Sequence, residues 1–251
     1  MVQPFFKSHY SIGRSILTLD SDPVEDGPDS IIDIAKDNSF SEIVLIEDNM
    51  GGFLQAFQNL KEINVKLIYG LRLTICPNME TKDDESRLNS SKIIVLANNY
   101  NGYKSLIKIY TKAAKDGFYY EPRIDCENLK SLWNNKELTL VIPFYDSFIF
   151  KNLMTYASCT PDLSFTSPIF ALEDNNIPFD DLVRAQVKDY VKDKHELMEV
   201  KSIFYKNRED FKAYLTFRCI NNRSSLDKPN LEHMTSREFS LESWKEKNGT
   251  V

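Results

Sequence analysis

The chain has 251 residues, 42% hydrophobic and 27% charged, and its 31 basic and 37 acidic side chains give a formal charge of −6. That composition excludes wholesale disorder, supplies enough apolar material for a sizeable core, and disfavours the broad phosphate attraction of non-specific nucleic-acid binding. The longest apolar run, Ile93–Ala97, is far short of the ~20 residues that cross a bilayer, and Met1-Val2-Gln3-Pro4-Phe5-Phe6-Lys7 has no secretory pattern, so no membrane association and a cytosolic location are expected.

Short β-prone runs alternate with helical patterns along most of the chain. Strands are expected at Val2–Phe6, Glu42–Ile46, Lys66–Tyr69, Lys92–Leu96, Leu138–Ile142, Pro168–Leu172 and Leu197–Lys201. Helices are expected between them at Ser30–Asp37, Gly52–Glu62, Tyr100–Ala114, Asp146–Tyr156 and Phe179–Lys192. The alternation predicts parallel strands joined by helices, and seven strands predict a closed α/β barrel. In the third helix Tyr103, Leu106, Ile107, Tyr110 and Ala113–Ala114 should form the apolar face, which leaves Lys104, Lys108 and Lys112 solvated.

Asp20–Ser30 is acidic and holds two prolines and a glycine, so it reads as an exposed loop, and Asn78–Ser91 reads as a polar insertion. After the seventh strand a helix at about Asn207–Asn221 leads through an irregular stretch to a short helix around Trp244. This predicts a barrel over residues 1–206 and a C-terminal helical extension over 207–251, which either clamps the barrel or leads onward.

Motif chemistry is sparse. The eight glycines make neither a Gly-x-Gly-x-x-Gly nor a Walker loop. The three histidines, His9, His195 and His233, are scattered, with no His-x-His or His-Glu-x-x-His. His9 falls at a strand end, where barrel active sites gather, and reads either as a local hydrogen-bonding group or as a relic ligand. Glu47-Asp48 follows the second strand and places a carboxylate at the same rim, unless the pair caps the next helix; Asn49-Met50-Gly51 favours a turn there. No Ser-His-Asp triad, Gly-x-Ser-x-Gly elbow or Cys-His pair is supported, so no catalytic residue is assigned. Phe118, Tyr119, Tyr120 and Arg123 form an aromatic and basic cluster that either stacks on bases or packs as a rigid loop. Cys76, Cys126, Cys159 and Cys219 are too dispersed for a Cys-x-x-Cys pair and are expected to be thiols.

Two motifs carry a resemblance. Ala97-Asn98-Asn99-Tyr100-Asn101-Gly102-Tyr103-Lys104-Ser105-Leu106, followed by Gly117-Phe118-Tyr119-Tyr120-Glu121-Pro122-Arg123-Ile124-Asp125, closely resembles the polymerase and histidinol phosphatase (PHP) domain at the N-terminus of bacterial DNA polymerase III alpha subunits. Ser8-His9-Tyr10-Ser11, Lys66–Gly70, Phe204–Asp210 and the tail Cys219–Asn230 with Glu238-Phe239 support it. The resemblance implies a distorted (β/α)7 barrel.

It also implies a lost trinuclear metal site. Where the family opens with His-x-His, this chain reads Phe5-Phe6-Lys7; the family's Asp-His falls at Glu47-Asp48-Asn49, its next glutamate at Arg72, and its late Asp-x-His at Ser202-Ile203-Phe204. Losing most ligands of a site whose binding totals ~10–16 kcal/mol for structural zinc abolishes it. No metal and no cofactor are therefore expected; Lys7 and Arg72 should fill the old cation space, paired with Asp48 or Glu47.

The functional expectation is a non-catalytic scaffold domain or N-terminal fragment of a bacterial-type replicative polymerase. By the resemblance its partners are the polymerase thumb and palm and a proofreading exonuclease, with DNA engaged only indirectly. Asn and Lys richness points to a phage or mobile element. Two other readings stand beside it: a metal-dependent phosphoesterase or 3′–5′ exonuclease using His9, Glu47 and Asp48, and a free-standing replisome-interaction protein.

Overall fold

A computed structural model describes residues 2–226 and 236–249. The elements run β1 (Gln3–Phe6), α1 (Ile31–Asp37), β2 (Glu42–Glu47), α2 (Phe53–Glu62), β3 (Lys66–Cys76), α3 (Asp84–Leu88), β4 (Ser91–Ala97) and α4 (Tyr100–Lys115). There follow β5 (Arg123–Asp125), α5 (Cys126–Ser131), β6 (Leu138–Ile142), α6 (Phe148–Thr155), β7 (Ile169–Leu172), α7 (Asp180–Val191), β8 (Glu196–Ile203), a 3-10 turn (Arg208–Asp210), α8 (Phe211–Asn222) and α9 (Leu241–Asn248). Side-chain caps explain many of the helix starts: Ser30, Asp83, Asn99, Asp125, Ser147 and Ser240 each accept a backbone N–H from the first turn of the helix they precede.

The hydrogen-bonded strand order is β2-β1-β8-β7-β6-β4-β3-β5, and β2 also pairs with β3. Seven strands thus close a ring in the α/β topology of a distorted (β/α)7 barrel, while β5 hangs on the far end of β3. The expected parallel arrangement needs correction, because β4 runs antiparallel to both β3 and β6. The reason is the link between β3 and β4. That link, residues 77–90, holds one helix, the five-residue α3, which at about 7.5 Å is too short to run back along a strand as a crossover helix does.

The residues form two compact units. The first comprises the described residues within 1–68, 173–180 and 199–251. Here β1 pairs in parallel with β2 and β8, with Phe5 opposite both Val44 and Ser202, and Phe6, Leu45, Ile32, Phe53 and Leu60 are fully buried. The C-terminal segment is part of this unit. Phe204 N–H donates to Phe239 O (3.0 Å) and Leu241 N–H to Tyr205 O (3.1 Å). Trp244 Nε1 donates to Val2 O (2.8 Å), and Val2 N–H donates to Asn248 Oδ1 (3.0 Å). Asp227–Asn230 of the tail motif and His233 lie outside the described residues.

The second unit comprises residues 69–172 and 181–198. Leu71, Ile93, Val95, Leu106, Ile109 and Leu140 are buried to completion. The inner face of α4 is Gly102, Leu106, Ile109 and Ala113, whereas Ile107 is 42% exposed, so the expected apolar stripe is rotated. Gly102 sets that rotation: a Cβ there would lie 2.2 Å from Glu137 O, so only glycine lets the helix come this close. The acidic loop 20–30 is largely exposed, as expected.

Candidate functional site

In the first unit the strand ends carry a network of charges and hydroxyls. Lys7, one residue past β1, is 5% exposed. Its Nζ donates to Asp48 Oδ1 at 2.8 Å, and Arg14 Nε lies 3.8 Å from Asp48 Oδ2. Glu47, at the end of β2, is fully buried; it accepts from Ser8 N–H (2.8 Å) and from the Ser11 hydroxyl. Ser11 Oγ in turn accepts from Asp48 N–H (2.8 Å). Burial pushes the Glu47 carboxyl above its ordinary value, opposed by Lys7 and by the serine bonds.

The remaining residues named at this rim are also engaged. Asn49 Nδ2 donates to Tyr10 O and its Oδ1 accepts from Gly51 N–H, each at 2.8 Å, which forms the expected turn. Neither Glu47 nor Asp48 caps α2, whose cap residue is Gly52 without a side-chain bond. His9 Nδ1 is 3.3 Å from Leu17 O, and its ring lies 4.6 Å from that of Tyr10.

On the β8 side, Ser202 binds Glu173 twice, through Oγ (2.9 Å) and N–H (3.1 Å). Asn175 Nδ2 donates to Glu173 Oε2 (2.9 Å), and Lys201 Nζ donates to Asn175 Oδ1 (2.7 Å). Glu173, Asn175 and Lys201 are all buried. Burial raises the Glu173 carboxyl and lowers the Lys201 ammonium to about 8, the latter with help from Lys247. Sequence reasoning missed this trio; its visible trace is the polar run Glu173-Asp174-Asn175-Asn176 directly after an apolar strand. Phe204 stacks between Tyr214 (5.7 Å, 18°) and Phe239 (5.1 Å, 14°).

In the second unit Arg72 binds Asp146, and Lys92 donates to Thr74 Oγ1 and Glu121, each at 2.5 Å. Asp146 is a partner that sequence reasoning had not found for Arg72. Arg123 is 1% exposed and donates to Gly117 O (3.2 Å), Ser86 Oγ (3.1 Å) and Thr81 O (3.0 Å). The rigid-loop reading therefore holds for Arg123, while Phe118 and Tyr120 are 52% and 70% exposed. All four cysteines are thiols, and burial pushes Cys76 and Cys126 up to about 11.

These side chains do not fit a polynuclear metal site. Asp48 already faces an ammonium, Glu47 is taken by serines, and Phe5 and Phe204 offer no donor atom. His9, Glu47 and Asp48 each make separate contacts, and among the described residues no three His, Cys, Asp or Glu side chains form a metal-holding group. No helix is long and apolar enough to cross a membrane, among the described residues.

A ring of seven strands with alternating helices and ionic strand ends defines the class as an α/β barrel domain. Within that class, the PHP domain model matches residues 24–151, half of the chain, and the chain belongs to the PHP domain family. It is similar to the DNA polymerase III subunit alpha of Borreliella burgdorferi, 25% identical over 88% of this chain and 20% of that protein. The same subunit of Aquifex aeolicus is 24% identical over 79% of this chain and 18% of its own length. That of Treponema pallidum is 35% identical over 32% of this chain and 7% of its own length. The chain spans about a fifth of the length of the first of these relatives.

Proposed function

We propose that the chain is the non-catalytic PHP-type barrel of a replicative DNA polymerase catalytic subunit, acting as a scaffold in the cytosol. In this reading it braces the thumb and palm, offers a docking surface to a proofreading exonuclease, and meets DNA only through those partners. The carrying observation is the Lys7 ammonium 2.8 Å from Asp48, at a strand end where a cation would otherwise need that carboxylate. The similarity to polymerase alpha subunits over most of the chain supports the polymerase context.

A scaffold of this kind works through rigidity. Ion pairs and hydroxyl networks at the strand ends fix the loops that would carry chemistry in an enzyme, with Asp48 bound by an ammonium and Glu47 by serines. Metal analysis of protein purified with Mn2+ and Zn2+ supplied and without chelator tests the reading, together with hydrolysis of a generic phosphodiester. Sub-stoichiometric metal and no turnover are expected. One or more metals per chain with turnover lost on Asp48→Asn would replace the scaffold by a phosphoesterase. Partner binding is tested separately, by titrating the thumb and palm portion of the parent polymerase against the chain. Absence of any complex would leave the barrel without its proposed role.

A further inference from the structure

The second unit holds a pocket of about 580 Å3, inside the ~300–1,000 Å3 range of small-ligand sites. It opens where β6, β7 and β8 begin, at Leu138, Ile169 and Glu196. Its lining contains no Lys, Arg or His, so an anion would find no counter-charge.

The hydrogen-bonding sense of the wall is uneven. A hydroxyl has one proton to give and two lone pairs to offer. Thr166 Oγ1 gives its proton to Asn135 Oδ1 (2.8 Å), and Thr139 Oγ1 gives its own to Asn98 Oδ1 (2.9 Å). The Ser164 hydroxyl and N–H both bind Asp162. With those protons spent, the three oxygens can only accept from a ligand. The Glu196 carboxylate at the rim has no hydrogen-bond or ion-pair partner among the described residues.

The wall is also held in place before any ligand arrives. Asn135 is its hub: Oδ1 also accepts from Trp133 Nε1 (2.7 Å), Nδ2 reaches Phe165 O (3.5 Å), and the Trp133 and Phe165 rings meet edge-on at 5.5 Å. A fixed set of acceptors beside an unpaired carboxylate and an aromatic ring is complementary to a positively charged group rich in N–H donors.

We propose that this pocket receives a guanidinium or primary ammonium group, held by Glu196 and by the Thr139, Ser164 and Thr166 oxygens. The group belongs either to a small amine or to a basic side chain of a bound peptide. The proposal is independent of the scaffold reading.

The test is an NMR titration of the 15N-labelled chain at low salt with agmatine, with putrescine, and with an end-blocked Gly-Arg-Gly peptide. Inorganic phosphate and glucose serve as controls. Saturable shifts at Asn135, Thr166 and Glu196 are expected, with a Kd of about 1 mM or lower. Glu196→Gln should weaken binding by about tenfold at unchanged Tm, since Glu196 is exposed and substitution there leaves the core intact. The tighter of agmatine and the peptide identifies the source of the group. Three results would overturn the proposal: no saturation by about 10 mM of any cation, equal affinity in Glu196→Gln, or equal binding of phosphate or glucose.

Discussion

Lys7 Nζ lies 2.8 Å from Asp48 Oδ1, with the lysine side chain 7% and the aspartate 30% exposed. The lysine has left water almost completely, and the carboxylate opposite offsets the cost of doing so. Replacing Lys7 by Met should destabilise the fold by about 2 kcal/mol, less than for a fully buried pair because Asp48 keeps contact with solvent and with Arg14. Lys7→Met with Asp48→Asn should recover part of the loss. Urea melts of the two variants against the parent measure both.

Phe204 is clamped between two parallel rings on either side of the turn into the C-terminal segment. Truncation to Ala removes both stacks and should cost about 2–3 kcal/mol, whereas Leu, which keeps most of the volume, should cost under about 1.5 kcal/mol. Thermal melts will read the difference. Equal losses for the two substitutions would mean that stacking contributes nothing beyond volume.

Arg123 is a buried guanidinium whose donors end on Gly117, Ser86 and Thr81. Arg123→Met leaves those acceptors unpaired and should cost about 3 kcal/mol, with Lys little better because one ammonium cannot span the fork. Chemical denaturation checks the size. Hydrogen exchange should locate the loosening in residues 78–90 and 117–122.

Acid should weaken the C-terminal segment. Burial acts to raise the Glu238 carboxyl, yet its bonds to Ser243 and Arg208 outweigh that and hold it below 4.5; Asp174 is likewise held below 3.8 by Lys247 and Asn176 against its own burial. A folded-state value below the unfolded one means that stability is fully present above the ordinary value and is lost as pH falls through the folded one. Unfolding free energies from pH 7 to pH 3 should therefore fall less steeply in Arg208→Met than in the parent. The opposing contributions of Glu47 and Glu173, whose values are raised, are common to both proteins and cancel. Identical slopes would remove Arg208 from the acid response.

The ring strands and the long helices were legible because burial imprints a period on them: Leu138–Ile142 falls where its apolar run begins and ends. What escaped was set by partners distant in sequence. β5 is three residues long and exists only through its pairing with Thr74–Cys76. The antiparallel turn of β4 goes with how short the helix between it and β3 is, and that helix, α3, hid within a polar stretch that its Asp83 cap converts into little more than one turn. At the site, Lys7 beside Asp48 could be foreseen because both flank strand ends, but Asp146 opposite Arg72 and Glu173 beneath Ser202 come from strand-end loops that no local pattern connects.

Val2 donates its N–H to Asn248 Oδ1, a closure across 246 positions, and its carbonyl accepts the Trp244 indole N–H. During synthesis the opening strand leaves the ribosome long before the helix that secures it is made. At about 5–20 residues per second that interval is roughly 12–50 s. For that time the nascent chain carries the apolar Phe5 and Phe6 without their final cover, so a holding chaperone should act on β1 until α9 emerges, and the grip of α9 on β1 should form after β1 has paired with β2 and β8.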